Sequence, residues 1–273
     1  MSEINWESQE GAEKYDQNCD HQFQKGKTLI EMMGIKKGDS VLDVGCGTGQ
    51  QAVNVLGIIG SAGQLTGIDP SSYRIELARK KFSRASSSNI RFLVGQAEDL
   101  SFLPDNSIDH TYFCSSFHWV DDKKTALCEI YRVLRPGGRV GMTTLDKNSS
   151  STMKTLADPI LAKYHIKRNQ EFHRGMKKVT ATELRDLLSD AGFDSISIEP
   201  RAIPWQYGSP EEFLKHLEKR DSPEGLLNDI PPGIREKIRQ EITEELRKAQ
   251  VSEVAGVGNV TLFAIATKPE AGL

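Results

Sequence analysis

Several features are missing from this sequence, and each absence narrows what the protein can be. No apolar run approaches the roughly 20 residues that a helix needs to span a bilayer, and no signal-peptide pattern opens the chain. No excess of one charge is present either. The formal net charge is -3 over 273 residues, which argues against a nucleic-acid or membrane-surface partner. The four cysteines, Cys19, Cys46, Cys114 and Cys128, are widely spaced with no CxxC pair, so neither a zinc site nor a disulfide frame is expected. They read as reduced, mostly buried thiols, and the expected location is cytoplasmic. No His/Cys/Asp/Glu cluster has metal-ligand spacing, so no metal is expected. Internal repeats and low-complexity segments are also lacking. The remainder is 37% hydrophobic and 27% charged, enough to bury a sizeable core.

The pattern that is present is a strand–helix alternation. Strands are expected at Ser40–Val44, Gln64–Ile68, Ile90–Val94, Ile108–Cys114 and Arg139–Thr144. Helices follow at Gln50–Ile59, Tyr73–Phe82 and Lys123–Leu134, and Arg135-Pro136-Gly137-Gly138 reads as a turn into the fifth strand. Alternation of this kind predicts an α/β, doubly wound, mostly parallel sheet. Ahead of it, residues 1–20 are polar, with scattered Trp6, Tyr15 and Cys19, and His21–Met33 has a helical pattern. After it, Thr180–Ala191 is a helix that Thr180 and Glu183 can cap, Asp194–Glu199 a sixth strand and Asn259–Thr267 a seventh. Two stretches interrupt the rhythm. Residues 146–178 are polar and partly helical without a clear apolar stripe, and 209–250 are highly charged and split by Pro223 and Pro231-Pro232. Each reads either as a solvated elaboration or as a cover over a substrate cavity. The whole of 1–273 is expected to be one domain, with an arm at 1–37, a cofactor-binding core at 38–145 and these two insertions.

The chemistry concentrates at Val41-Leu42-Asp43-Val44-Gly45-Cys46-Gly47-Thr48-Gly49, a buried strand running into three alternate glycines. Ligands of open parallel sheets bind at the carboxyl ends of strands, and glycines there let backbone approach them. A P-loop would need a lysine after the glycines, and none follows. A dinucleotide fingerprint would be GxGxxG, whereas Gly45, Gly47 and Gly49 give GxGxG. Asp43 discriminates further. At about 4 Å from a pyrophosphate charge its carboxylate would cost roughly 4 kcal/mol at an effective dielectric near 20, and it would attract an ammonium or sulfonium by a similar amount. Asp69, at the end of the second strand, can accept hydrogen bonds from both hydroxyls of a ribose, at about 1.5–3 kcal/mol each. Adenosine with a cationic amino-acid tail is S-adenosylmethionine.

These residues also carry a resemblance. Asp43-Val44-Gly45-Cys46-Gly47-Thr48-Gly49 resembles motif I of the class I S-adenosylmethionine-dependent methyltransferases. Leu93-Val94-Gly95-Gln96-Ala97-Glu98-Asp99-Leu100 is similar to that family's segment after its third strand, and Arg132-Val133-Leu134-Arg135-Pro136-Gly137-Gly138 to its turn after the fourth. The match is best with the small-molecule branch that includes the ubiquinone/menaquinone-biosynthesis and trans-aconitate methyltransferases. It covers 38–145 well, and 180–200 and 258–268 in outline. The resemblance implies a seven-stranded sheet of order 3-2-1-4-5-7-6 with strand 7 antiparallel. It implies that Asp43 and the Gly45–Gly49 turn hold the methionine moiety, Asp69 the ribose, and Gln96, Ala97 and Glu98 the adenine. Many relatives carry an acid where this chain has Gln96. Ser115 falls where the family's chain passes under the methionine end.

Methyl transfer needs mainly alignment, which can supply roughly 7–11 kcal/mol, and a base only if the nucleophile must lose a proton. The candidate base is His118, in Ser115-Ser116-Phe117-His118-Trp119, although the trans-aconitate-like branch shows a similar His-Trp pair and packing of the loop is the plainer reading. His110 reads as structural. His165 and His173 could reach a substrate. Tyr15 and Phe23 either pack the arm or fold over the cofactor as a lid, and Tyr15 is counted among the cofactor contacts. An arsenite methyltransferase would need several pocket cysteines, and the spacing here argues against it. The expected function is methyl transfer from S-adenosylmethionine to a small molecule. The alternatives are a cofactor-binding regulatory protein without turnover and, disfavoured by Asp43 and the glycine spacing, an NAD-linked oxidoreductase.

Overall fold

A computed structural model describes residues 7–17, 19–83, 89–149, 152–166, 175–202, 209–219, 230–251 and 260–270. Trp6, His173, Pro223 and Asn259 lie outside these ranges. The seven strands are β1 (Ser40–Val44), β2 (Gln64–Asp69), β3 (Ile90–Val94), β4 (Ile108–Cys114), β5 (Leu134–Leu145), β6 (Asp194–Ala202) and β7 (Val260–Thr267). They form one sheet in the order β3-β2-β1-β4-β5-β7-β6. Strands β1 to β5 pair in parallel, and β7 runs antiparallel to β5, with Arg139 opposite Thr267 and Leu145 opposite Thr261. The chain direction switches between β1 and β4, where an open parallel sheet leaves a crevice at the strands' carboxyl ends.

Helices α1 (Gln9–Gln17), α2 (Asp20–Met33), α3 (Ala52–Ile59), α4 (Ser72–Phe82), α5 (Lys123–Val133), α6 (Thr152–Lys163), α7 (Ala181–Asp190), α8 (Pro210–Lys219) and α9 (Pro232–Val251) complete the described structure. The chain divides into two compact units. The larger comprises residues 5–147, 177–200 and 261–273 and contains the sheet. One face of its core packs Leu42, Phe113 and Met142 from the strands with Leu127 and Ile130 of α5 and Leu184 and Leu188 of α7. Helix α7 starts with the expected capping box: the Thr180 hydroxyl accepts from the Glu183 N–H at 3.1 Å and the Glu183 carboxylate from the Thr180 N–H at 2.8 Å. On the sheet's amino-terminal side, Asp39 pairs with His110 at 3.2 Å, which accounts for His110 as a structural residue.

The smaller unit comprises residues 148–176 and 201–260, together with the first four residues. Here one expectation is corrected. The 146–178 stretch does have an apolar stripe: Ala157, Ile160 and Leu161 of α6, at i, i+3 and i+4, pack with Leu214 of α8 and Ile238, Ile242 and Leu246 of α9. Pro159 within α6 masked the pattern. His165 is exposed in the turn after α6.

Two more differences have physical causes. Residues 1–20 gave no element, yet Gln9–Gln17 is helical, because α1 packs on α4 and is tied down by side-chain bonds from distant residues. Arg135–Gly138 does not precede β5 as a separate turn. Leu134 already pairs with Ile108, and the register shifts across the following residues.

Candidate active site

The carboxyl ends of β1 and β2 lie side by side, with Asp43 opposite Gly67 and Val44 opposite Ile68. Beyond them the chain turns sharply, and the N–H groups of Gly45 and Cys46 both donate to the Ile68 carbonyl, at 2.8 and 2.9 Å. Gly45 and Gly47 adopt φ of 73° and 55°, a region that side chains rarely occupy. Their missing Cβ atoms are also needed for space. At Gly45 a Cβ would stand 2.3 Å from the Ser116 Cβ, and at Gly47 it would stand 3.1 Å from the Tyr15 ring.

Two carboxyl groups sit under this turn, almost wholly buried. Asp69 is well supplied with donors: its Oδ2 accepts from the Gly47 N–H and its Oδ1 from the Ser71 N–H, both at 3.0 Å, and Arg74 Nη1 is 3.7 Å from Oδ1. Burial raises its pKa, against the pull of Arg74 and the two N–H groups. A carboxylate offers about four lone-pair sites, so these bonds leave room for a ligand's hydroxyls. Asp43 differs. Its Oδ1 is buried with no hydrogen-bond partner among the described residues, and so is the hydroxyl of nearby Tyr112. Burial pushes the Asp43 carboxyl up to about 7, with Tyr112 opposing and the charge of Asp69 adding.

The N-terminal arm closes over the turn. The Asp16 carboxylate accepts from the Thr48 hydroxyl and the Lys81 ammonium, and Gln50 Nε2 donates to the Asp16 carbonyl at 2.8 Å. This holds Tyr15 above Gly47, with the Arg74 guanidinium 5.0 Å from the ring centroid. Burial raises the Tyr15 phenol, which therefore stays neutral. Tyr15, Phe23, Gln51 and Asp43 help to line a cleft under the arm, together with Cys19, Cys46 and Cys114. Three cysteines far apart in sequence thus meet here, contrary to the expectation from their spacing. Among the described residues no group of three or more His, Cys, Asp or Glu is placed to hold a metal ion. Burial holds down the reactivity of two of the three cysteines: it raises the Cys46 thiol well above its ordinary value and the Cys114 thiol to about 12.

The remaining expected residues have more structural surroundings. Gln96 is exposed after β3, and Ala97 is buried in the core. Glu98 Oε1 accepts from the Asp121 and Asp122 N–H groups, at 3.0 and 3.1 Å, tying the segment after β3 to the start of α5. Ser115, with φ of 55°, donates its N–H to the Thr143 carbonyl at 3.1 Å and hydroxyl at 2.9 Å. His118 is buried in the single turn Phe117–Trp119 and does not line the cleft. Its Nδ1 is 3.5 Å from the Thr144 hydroxyl, and its carbonyl accepts from the Lys177 N–H at 2.8 Å. Asp16, Arg74 and Ser116 went unrecognised in the sequence. Asp16 and Arg74 are ordinary surface-type residues in helical stretches, and no local signal sets them apart.

The arrangement defines a class: a doubly wound sheet whose glycine turn covers one carboxyl group with an oxygen unpartnered among the described residues and another with lone pairs to spare. This fits a nucleoside cofactor with a cationic tail. Comparison with known proteins agrees. Residues 42–142 match the family described as "Methyltransferase domain". The O-methyltransferase rstn1 of Aspergillus nomiae is 34% identical over 171 residues, which are 62% of this chain and 71% of that protein. The demethylmenaquinone methyltransferase of Listeria welshimeri is 29% identical over 181 residues, 62% of this chain and 76% of that protein. In fold, the chain resembles phosphoethanolamine N-methyltransferase 2 of Haemonchus contortus, solved with S-adenosyl-L-methionine, with a TM-score of 0.61 and 18% identity over 98% of this chain and 59% of that one. The chain belongs to the class I S-adenosylmethionine-dependent methyltransferases. It is an enzyme of methyl transfer, and S-adenosylmethionine is its cofactor.

Proposed function

We propose that the methyl group goes to an oxygen of a small organic acceptor, and that the residues around the glycine turn hold the cofactor. The observation that carries the cofactor assignment is the buried Asp43 carboxyl, whose Oδ1 has no hydrogen-bond partner among the described residues, next to Asp69. Asp43 and the Gly45–Gly49 backbone would take the methionine end, Asp69 the ribose and the segment at Gln96, Ala97 and Glu98 the adenine. Because the Glu98 carboxylate is engaged at the start of α5, its backbone and that of Ala97 are the better candidates for the base. Tyr15 would cover the tail, and Ser115 would line its far side. The bound cofactor supplies a methyl group on a sulfonium, already an excellent leaving group. The protein's task is alignment and exclusion of water. The small acceptor is supported by the lack of basic excess in the sequence and by the named relatives, and oxygen by the O-methyltransferase at 34% identity.

The segments 146–178 and 209–250 are proposed to decide which acceptor is taken. For a hydroxyl acceptor a proton must leave, and His118 is the proposed base. Its support is positional: it follows β4 directly, on the carboxyl side of the sheet. The test offers methyl-labelled S-adenosylmethionine with a panel of phenols and carboxylic acids. Carbon-13 shifts of the products then tell O-methyl from C-methyl. Label that appears only in protein or nucleic acid would sink the proposal. Replacement of His118 by Gln should lower kcat by about 10²-fold or more if it is the base. A fall confined to thermal stability would assign it to packing.

A further inference from the structure

We propose that seating the cofactor expels a proton from Asp43, whose side chain is a neutral carboxylic acid in the free protein and a carboxylate beside the cofactor's cationic tail. This rests on the reading of Asp43 as the methionine-end group. The argument is one of unequal supply. Asp43 and Asp69 are 2% and 4% exposed at the ends of adjacent strands, so their charges are not well screened from one another. The hydrogen-bond donors go to Asp69: two backbone N–H groups, with the Arg74 guanidinium near by. Among the described residues Asp43 Oδ1 receives none. When two buried carboxyls share a site, the one with fewer donors is the one that keeps a proton.

The other titratable groups around Asp43 do not alter this. Tyr112 of β4 pulls the Asp43 carboxyl down, but by less than burial raises it, and Tyr112, Cys114 and Cys46 are neutral acids that burial keeps protonated. From the N-terminal side, Tyr15 is likewise neutral and Cys19 lines the same cleft. Lys25 of α2 acts on the Cys114 thiol. An entering ammonium supplies the missing positive partner, and the carboxyl proton leaves to solvent. Charge balances: one cation enters the site and one proton departs.

Calorimetry tests this with S-adenosylmethionine and its demethylated product, each titrated in phosphate and in Tris buffer at about pH 7. The expected result is a binding heat that differs between buffers in proportion to the proton released, with affinity falling about tenfold per pH unit on the acid side. Methylthioadenosine, which keeps the adenosine but lacks the charged tail, should bind with buffer-independent heat. Asp43→Asn removes the partner of the cationic tail, so a second measurement uses the free protein: the carbon-13 signal of the Asp43 carboxyl, assigned by its loss in that variant, should titrate well above the usual carboxylate range near about 3.9. Tight wild-type binding with buffer-independent heat, or titration of Asp43 in the ordinary range, overturns the proposal alone. Failure of the wild type to bind either compound overturns the cofactor-site reading as well.

Discussion

At the scale of single residues, Asp69 and Gly45 make the sharpest tests. Replacing Asp69 with Ala removes the proposed ribose acceptor and leaves the Gly47 and Ser71 N–H groups buried without partners, at about 1–3 kcal/mol each. Calorimetry should show S-adenosylmethionine affinity reduced by at least about tenfold, and an affinity within twofold of wild type would remove Asp69 from the site. Gly45→Ala faces two costs, a φ of 73° and a Cβ 2.3 Å from that of Ser116. The variant should melt several degrees lower, and the added change Ser116→Gly should recover part of the loss, since it relieves the clash but not the backbone strain. No recovery would mean that Ser116 is not what confines the turn. Both residues belong to different degrees of foresight. Asp69 was legible because it closes a strand two elements into a recognisable motif, whereas Ser116 meets Gly45 only through pairing of β1 with β4.

At the scale of elements, α1 is held less by its own sequence than by one side chain. Asp16 joins it to Thr48 and Gln50 in the glycine turn and to Lys81 of α4. Burial alone would raise the Asp16 carboxyl, but the bonds from Lys81 and Thr48 hold it below its usual range. Asp16→Ala should speed amide hydrogen exchange across Gln9–Gln17 and hasten cofactor dissociation in stopped flow, while leaving exchange in β1 and β4 unchanged. Equal protection of α1 in the variant and wild type would show that packing on α4 suffices. This dependence explains why α1 was invisible in the sequence. The strands were legible because their apolar runs, bounded by turns, carry their own signal, as in Val41–Val44 and Val260–Thr267. Helix α1 has only Gly11 and Ala12 buried, and its order comes from residues more than 30 positions away. The strand order came from family resemblance and could not have been derived from periodicity.

At the scale of the whole molecule, two buried groups give stability opposite dependences on pH. The folded-state pKa of Asp43 is raised from 3.8 to about 7, so its burial costs nothing at acid pH and destabilises progressively as pH rises between those values. His110 runs the other way. Burial lowers its pKa below 6.5, against Asp39 and Asp109, so the stability it allows is present above 6.5 and is lost as pH falls below it. Without cofactor, Asp43→Asn should therefore be more stable than wild type at about pH 8, by roughly 4 kcal/mol at most, with the advantage fading toward about pH 4. Urea unfolding across that range measures it. An unchanged difference at every pH would show that the gain does not come from ionisation.

The residues proposed to hold the cofactor run from Tyr15 to Ser115, and the family match ends at residue 142. The core of the smaller unit, by contrast, is built from residues between Ala157 and Leu246. On the proposed reading, the residues that hold the methyl donor and the segments that choose the acceptor are encoded in separate stretches of sequence, so a substitution that changes one need not change the other.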